Sequence, residues 1–353
     1  MALSDTSTAR FAALAPPSFS SLPARVQEDL RRVGELLWEN APSVDREGHL
    51  PGPNLDALAR AGLYGAVAPT EVGGLGLDQA QLCAVTEELA GSCAATTFVW
   101  AQHLRFLRAM LDTSVPEPLR QEWREAVVAG RARAGVVLTG LMPGPARLIA
   151  RPARTGWSLH GQAPWVSGWG LVDVVYVAAA TEDGQLLSCA LPARPAEGLE
   201  VVPTPLAALA ATRTVRLGFD GVVVASADVL GLVPMERARE QSENLRLNGS
   251  FALGVARRCC ALLGPVPELE AELVRCRDDL DDAGPAQAPQ ARARASLLAV
   301  RCADALAVAR GSGSAVTGDV SERLRREASL FLVFGARPAI RQAMLARLGA
   351  TPG

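Results

Sequence analysis

The stretch Gly156 to Gly168, GWSLHGQAPWVSG, places a tryptophan and a serine two residues apart in Trp165-Val166-Ser167. On an extended strand, residues at i and i+2 point to the same face. A planar indole and a hydroxyl on one face suit the isoalloxazine ring of a flavin. The indole offers a flat surface for the ring to lie on, and the hydroxyl a hydrogen bond to its N5 atom. The same pattern also suits a buried tryptophan on a sheet face, followed by a turn serine. The spacing predicts that Trp165 and Ser167 face one cleft, between the strand-rich middle of the chain and its C-terminal helices.

What the chain lacks narrows the chemistry further. All 35 basic residues are arginine. With no lysine there is no Schiff-base nucleophile, no lysine-anchored pyridoxal phosphate and no Walker lysine. The histidines His49, His103 and His160 are far apart, and no H-E-x-x-H occurs, so no metal centre is expected. The seven cysteines form no C-x-x-C pair and read as small core residues in a reducing compartment. A formal net charge of -2 gives no reason to expect nucleic acid or an anionic membrane as partner. No apolar run has the length of a membrane span, and Met1 to Pro16 does not read as a signal peptide. The expected location is cytoplasmic.

The elements that must position these residues fall into three parts. Residues 1–134 read as a helical domain, with residues 1–22 loose and helices over Val26–Glu39, from the cap candidate Asn54 to Gly62, and over Gln79–Gly91, Ala94–Leu111 and Glu117–Ala129. Asp78 is the cap expected before Gln79. Residues 135–233 contain short Val-rich runs between Gly, Pro and Asp, which predict a small β-barrel or sandwich. Residues 234–353 read as four long helices, Arg237–Leu263, Pro267–Asp282, Ala291–Arg310 and Val320–Leu348, the last broken near Gly335. This is the pattern of an antiparallel four-helix bundle. The fold class is therefore α+β.

This order resembles the acyl-CoA dehydrogenase family, and specific residues carry the resemblance. Leu58-Ala59-Arg60-Ala61-Gly62-Leu63 through Pro69 to Gly76 is similar to the family's L-A-x-x-G-L … P-x-x-x-G-G-x-G entry segment. Val137-Leu138-Thr139 resembles the strand whose backbone and threonine meet the flavin ring. Trp165-Val166-Ser167 resembles the W-I-T/S flavin motif. Ala252 to Arg257 resembles the helix that opens the C-terminal bundle, and Arg323-Leu324-Arg325-Arg326-Glu327-Ala328 the R-L-x-R-D-A stretch. The resemblance implies FAD as cofactor, a small-molecule substrate such as an acyl-CoA thioester, and a homodimer or homotetramer.

The departures bear on function. The family's R-D-A stretch leads to an aromatic-Glu-Gly whose glutamate removes the substrate's α-proton. Here the run is Phe334-Gly335-Ala336, with Gly335 at the base position. Glu243, before the long helix, is the substitute candidate. The family's R-x-x-F-G anchor for the FAD diphosphate is replaced by Leu263-Gly264-Pro265-Val266-Pro267, and the T-E-P-G-x-G-S-D run reads Thr139-Gly140-Leu141-Met142-Pro143-Gly144-Pro145. Gly311-Ser312-Gly313 stands where the family's Gly-Gly turn approaches a neighbour's FAD. Arg337 is the candidate replacement for the lost phosphate contact. His103 is expected on a helix lining the substrate cavity. Three readings follow: an oxidoreductase on an acyl thioester, a flavin monooxygenase of the same fold, and a non-enzymatic binding or assembly module.

Overall fold

A computed structural model describes residues 5–142, 144–145, 147–241 and 245–350. The first part of the chain is helical: α1 (Asp5–Ala13), α2 (Pro17–Ser20), α3 (Ala24–Glu47), α4 (Gly52–Arg60), α5 (Gln79–Ala90), α6 (Ala94–Leu111) and α7 (Glu117–Val128). In α3, Val26, Leu30, Val33, Leu37, Ala41 and Val44 repeat every three or four residues, and all are buried. Asp78 caps α5 as expected: its side chain accepts the Gln81 N–H while the Gln81 side chain accepts the Asp78 N–H. Asn54 does not cap α4. It lies inside the helix, buried, accepting from the Asn40 amide at 2.7 Å and donating to Thr96 Oγ1 at 3.1 Å.

Residues 5–22, expected to be loose, instead carry the helices α1 and α2, which pack on the rest of the chain. The Phe11 ring lies 3.7 Å from the Arg257 guanidinium and 3.5 Å from that of Arg258. Arg257 donates twice to the Phe11 carbonyl, at 2.9 and 2.6 Å, and Arg277 donates to Leu14 O at 2.8 Å. Buried cations need partners, and the N-terminal backbone provides them. A Ser/Pro/Ala-rich composition does not reveal this, because the arginines come from the far end of the chain.

The middle of the chain forms β1 (Ala134–Val137), β2 (Leu148–Ala153), β3 (Gly156–Val166), β4 (Val174–Thr181), β5 (Gln185–Pro192), β6 (Leu199–Pro203), β7 (Val215–Ala225) and β8 (Val229–Pro234). They form one mixed sheet in the order β6-β7-β3-β2-β4-β5-β8, with β1 pairing parallel to β4. Every residue of β4 is buried, in keeping with its unbroken apolar run.

The chain returns to helix in α8 (Met235–Gln241), α9 (Leu245–Leu263), α10 (Pro267–Asp282), α11 (Ala288–Arg310), α12 (Val320–Val333) and α13 (Pro338–Arg347). α9 to α12 pack on one another, and α9 also packs on α5. The break expected near Gly335 is the turn between α12 and α13. Among the described residues no helix is long and apolar enough to cross a membrane.

Candidate functional site

Two turns carry five of the residues singled out above, Trp165, Val166, Ser167, Gly335 and Arg337. The first follows β3. Between Ala163 and Val166, β3 advances three residues while β7 advances two, from Leu217 to Val215. One residue is therefore extra, a β-bulge. Pro164 has no N–H to give to the ladder, which favours a bulge at this place. Trp165 takes up the irregularity with φ +65°, a left-handed conformation that costs a non-glycine residue about 1–2 kcal/mol. Its side chain is 66% exposed. Ser167 is only 6% exposed and turns inward, its Oγ 2.7 Å from Thr214 Oγ1.

The expectation that Trp165 and Ser167 share a strand face is thus corrected. Alternation holds only along a regular strand, and β3 ends in a bulge. The two residues still bound one turn. A Cβ on Gly135 of β1 would stand 3.4 Å from the Ser167 carbonyl oxygen, and one on Gly168 3.6 Å from Val99 of α6. The Gly168 N–H donates to Thr212 O at 2.7 Å.

β1 brings the second set of residues to the same neighbourhood. Val137 is its last residue and is buried. Leu138 then leads into a 3-10 turn over Thr139–Leu141, so Thr139 lies just past the strand, not on it. The turn packs tightly on the sheet: a Cβ on Gly140 would meet the Ala178 carbonyl oxygen at 2.5 Å, so only glycine fits.

Sequence reasoning missed Thr212 and Thr214, whose only signal was the Thr-Arg-Thr alternation leading into β7. Thr212 Oγ1 donates to Leu209 O at 2.8 Å and lies 2.9 Å from Thr214 Oγ1. All three hydroxyl residues are buried. Leu209 and Arg213, flanking the 3-10 turn that sets them, are both left-handed, at φ +58° and +49°. Such strain persists only where the surroundings hold it in place.

His103 does not line a cavity. It is fully buried, with Nε2 at 3.1 Å from Val127 O and Nδ1 accepting the Ala134 N–H at 3.1 Å. Nε2 therefore carries the proton and donates it to the carbonyl. The Tyr64 ring meets it edge-on at 4.8 Å. Burial pushes the imidazole down to about 3, outweighing the hydrogen bond to Val127. The residue ties α6 to α7 and β1.

The second turn joins α12 to α13. The Phe331 carbonyl, near the end of α12, accepts from buried Arg292 at 3.2 Å and from Ser296 Oγ at 2.9 Å, both on α11. These bonds satisfy an acceptor that the helix leaves open. Phe334 packs edge-on against Phe98 at 4.7 Å and near Phe251 at 6.0 Å. Gly335 follows with φ +60°, the left-handed residue that stops the helix. A Cβ there would have only Asn248 Nδ2 within reach, at 3.7 Å. Arg337 is half-buried, and its backbone N–H donates to Gly335 O at 2.9 Å. Glu243 lies outside the described residues. Gly311-Ser312-Gly313 forms an exposed 3-10 turn after α11, where Cβ atoms on the two glycines would meet nothing.

A flavin fits one end of this arrangement better than the other. An exposed indole, a buried hydroxyl and a glycine-floored turn beside β1 suit a flat ring with a polar edge. For a diphosphate, the chain offers the Gly311–Gly313 backbone and Arg337, and the turn at Gly264–Val266 supplies no cation. An open cavity of about 540 Å³ lies elsewhere, beside Asp56, Arg60, Arg131, Arg133 and Asp173. It sits at the start of β1, the end opposite Thr139, and an Arg133–Asp56 ion pair at 2.6 Å occupies much of its charge.

Comparison with known proteins bears on the domain and the fold. Residues 26–131 match the family described as acyl-CoA dehydrogenase, N-terminal domain. Over 167 residues the chain is 28% identical to 3-sulfinopropanoyl-CoA desulfinase of Paraburkholderia xenovorans, an alignment covering 46% of this chain and 43% of that enzyme. The chain thus spans less than half the length of this curated relative. Among solved structures, a glutaryl-CoA dehydrogenase from Mycobacterium smegmatis in complex with FADH2 superposes with a TM-score of 0.79 at 18% identity, covering 94% of this chain and 96% of that one. Dibenzothiophene monooxygenase from Paenibacillus sp. A11-2 superposes at 0.71 and 19% identity, covering 93% and 97%. Residues 26–131 thus match the N-terminal domain family of the acyl-CoA dehydrogenases, and the chain has the acyl-CoA dehydrogenase fold.

Proposed function

We propose that this chain is an FAD-dependent oxidoreductase whose ring-binding end is retained and whose α-proton base is absent from the family position. The observation that supports the reading is the turn after β3, where Trp165 is held exposed in a strained conformation while Ser167 is locked beside β1. A largely exposed indole on a left-handed residue costs conformational energy, and a flat ligand gives it a purpose. Trp165 covers one face of the ring, Ser167 lies at N5, and Val137, Leu138 and Thr139 with their backbone hold the pyrimidine edge. Val166, buried between Trp165 and Ser167, fixes the turn to the sheet. When bound, the flavin supplies two-electron chemistry and reaction with oxygen. Gly311, Ser312, Gly313 and Arg337 take the diphosphate end, the glycine turn across a subunit contact in a homodimer or homotetramer.

Gly335 favours a second reading, a flavin monooxygenase of this fold. Such an enzyme needs no base at that place. Position 335 is occupied by the residue that ends α12, and Asn248 beside it is an amide with no useful basicity. For dehydrogenation of an acyl-CoA thioester, Glu243 is the remaining candidate base.

One titration separates these readings. Added FAD should develop a bound-flavin visible spectrum, with micromolar or weaker affinity. Each charged hydrogen bond lost from the diphosphate removes about 1.5–3 kcal/mol. Arg337→Ala should weaken FAD while leaving FMN unchanged. Butyryl-CoA should reduce the bound flavin slowly or not at all. Fast reduction that survives Glu243→Gln would show a base elsewhere. No spectrum at saturating FAD would leave only the binding-module reading.

A further inference from the structure

Thr212, Thr214 and Ser167 form a chain of hydroxyls whose polarity can be deduced. A hydroxyl has one hydrogen to give. Thr212 gives its own to Leu209 O at 2.8 Å, a carbonyl that can only accept. The 2.9 Å contact between Thr212 and Thr214 must therefore use the hydrogen of Thr214. The 2.7 Å contact between Thr214 and Ser167 must then use the hydrogen of Ser167. The chain runs Ser167 to Thr214 to Thr212 to Leu209, and Ser167 is left with lone pairs and no proton to offer.

The reverse polarity is almost as well provided for. Leu209 O also accepts the Thr212 backbone N–H, at 2.9 Å. If Thr212 turns its hydroxyl to Thr214, and Thr214 turns to Ser167, that carbonyl keeps a donor. Ser167 is then free to donate outward. No proton leaves any oxygen, and only the three O–H bonds rotate. Both arrangements make the same number of hydrogen bonds once Ser167 has an acceptor in front of it.

We infer that Thr212 and Thr214 are positioning residues that let the Ser167 hydroxyl act as acceptor or donor toward a flavin N5. N5 of an oxidised flavin accepts a hydrogen bond, and N5 of a reduced flavin donates one. A serine with a fixed partner would suit one state only, whereas a reversible relay serves both. The strained left-handed residues Leu209 and Arg213 hold the turn in which Thr212 and Thr214 can meet. This inference rests on the flavin reading given above.

The test compares wild type, Thr214→Val, Thr212→Val and Thr214→Ser, each reconstituted with FAD. Near-ultraviolet circular dichroism checks the fold, and dye equilibration gives the ratio of affinities for oxidised and reduced flavin. Thr214→Val should change that ratio about three- to tenfold, the scale of one neutral hydrogen bond. Thr212→Val should change it in the same direction by a smaller factor, although Thr212 has no hydrogen bond to Ser167. Thr214→Ser should restore the wild-type ratio within about twofold. A purely structural role would change stability and leave the ratio alone. If a valine variant does not fold, the alanine at the same position takes its place. Folded Thr212 and Thr214 variants that bind FAD with the wild-type ratio overturn the relay and leave the flavin reading standing. A wild-type chain that binds no flavin overturns both.

Discussion

The turn after β3 and the turn after α12 differ in how they are held. Around the first, three buried hydroxyls, three left-handed side-chain-bearing residues and a glycine with no room for a Cβ interlock across β1, β3 and β7. Around the second, a glycine ends a helix whose Phe331 carbonyl is held from α11, and a Cβ on it would meet only Asn248 Nδ2, at 3.7 Å. If the two turns are the two halves of the proposed flavin site, the contrast teaches that such halves can diverge separately. The residues proposed to contact the ring are tied into the sheet and are costly to change. The position proposed for a base is a helix end, and in this chain it is filled by the glycine that stops α12.

Restoring the base tests this contrast most severely. Gly335→Glu combined with Ala336→Gly moves the left-handed stop one residue on and puts a carboxylate over Asn248. If the open turn is the missing half of the site, flavin reduction by an acyl-CoA should rise about 10²–10⁴-fold, the usual yield of a positioned general base. Stopped-flow absorbance measures it. An unchanged rate would mean that position 335 does not face the reacting carbon.

The interlocked half should be sensitive to acid through His103, which joins α6 to the start of β1. The unfolded imidazole takes its proton near 6.5, while the folded one, buried, resists until about 3. The unfolded chain therefore binds more protons between these values, and stability falls as pH drops from about 6.5 toward 3. The slope from this residue approaches about 1.4 kcal/mol per pH unit. Urea denaturation across that range should show it, and His103→Gln should flatten it. An equal slope in the variant would place the acid sensitivity elsewhere.

The smallest effect belongs to Trp165. Trp165→Gly removes an exposed side chain and relieves a left-handed conformation, so stability should hold or rise by up to about 1 kcal/mol. FAD binding should weaken at least about fivefold, since a base-sized ring loses a stacking partner worth about 1–3 kcal/mol. A loss of stability beyond about 1 kcal/mol would show that the indole serves the fold and would erase the contrast between the two turns.

Much was legible from residue order alone. Helical periodicity placed α3, α5, α6, α10 and α11, because an apolar stripe repeats with the helix whatever it packs against. Asp78 announced its helix because a capping box is local. The glycine near position 335 was visible as a break in the last helical run, and the structure has a helix stop there. What the sequence could not decide depends on partners distant along the chain. Ser167 and Thr214 are 47 residues apart and meet only because β7 pairs with β3. The alternation that put Trp165 and Ser167 on one face was lost to a bulge, which is defined only by comparing two paired strands. His103 looked like a pocket residue until Val127 and Ala134 were found to use both ring nitrogens. The N-terminal helices looked loose because the arginines that hold Phe11 and Leu14 lie about 250 residues away, at Arg257 and Arg277. Local signals reside in the order of residues, whereas the direction of a hydroxyl, the reach of a guanidinium and the hand of a turn are set by what the fold brings beside them.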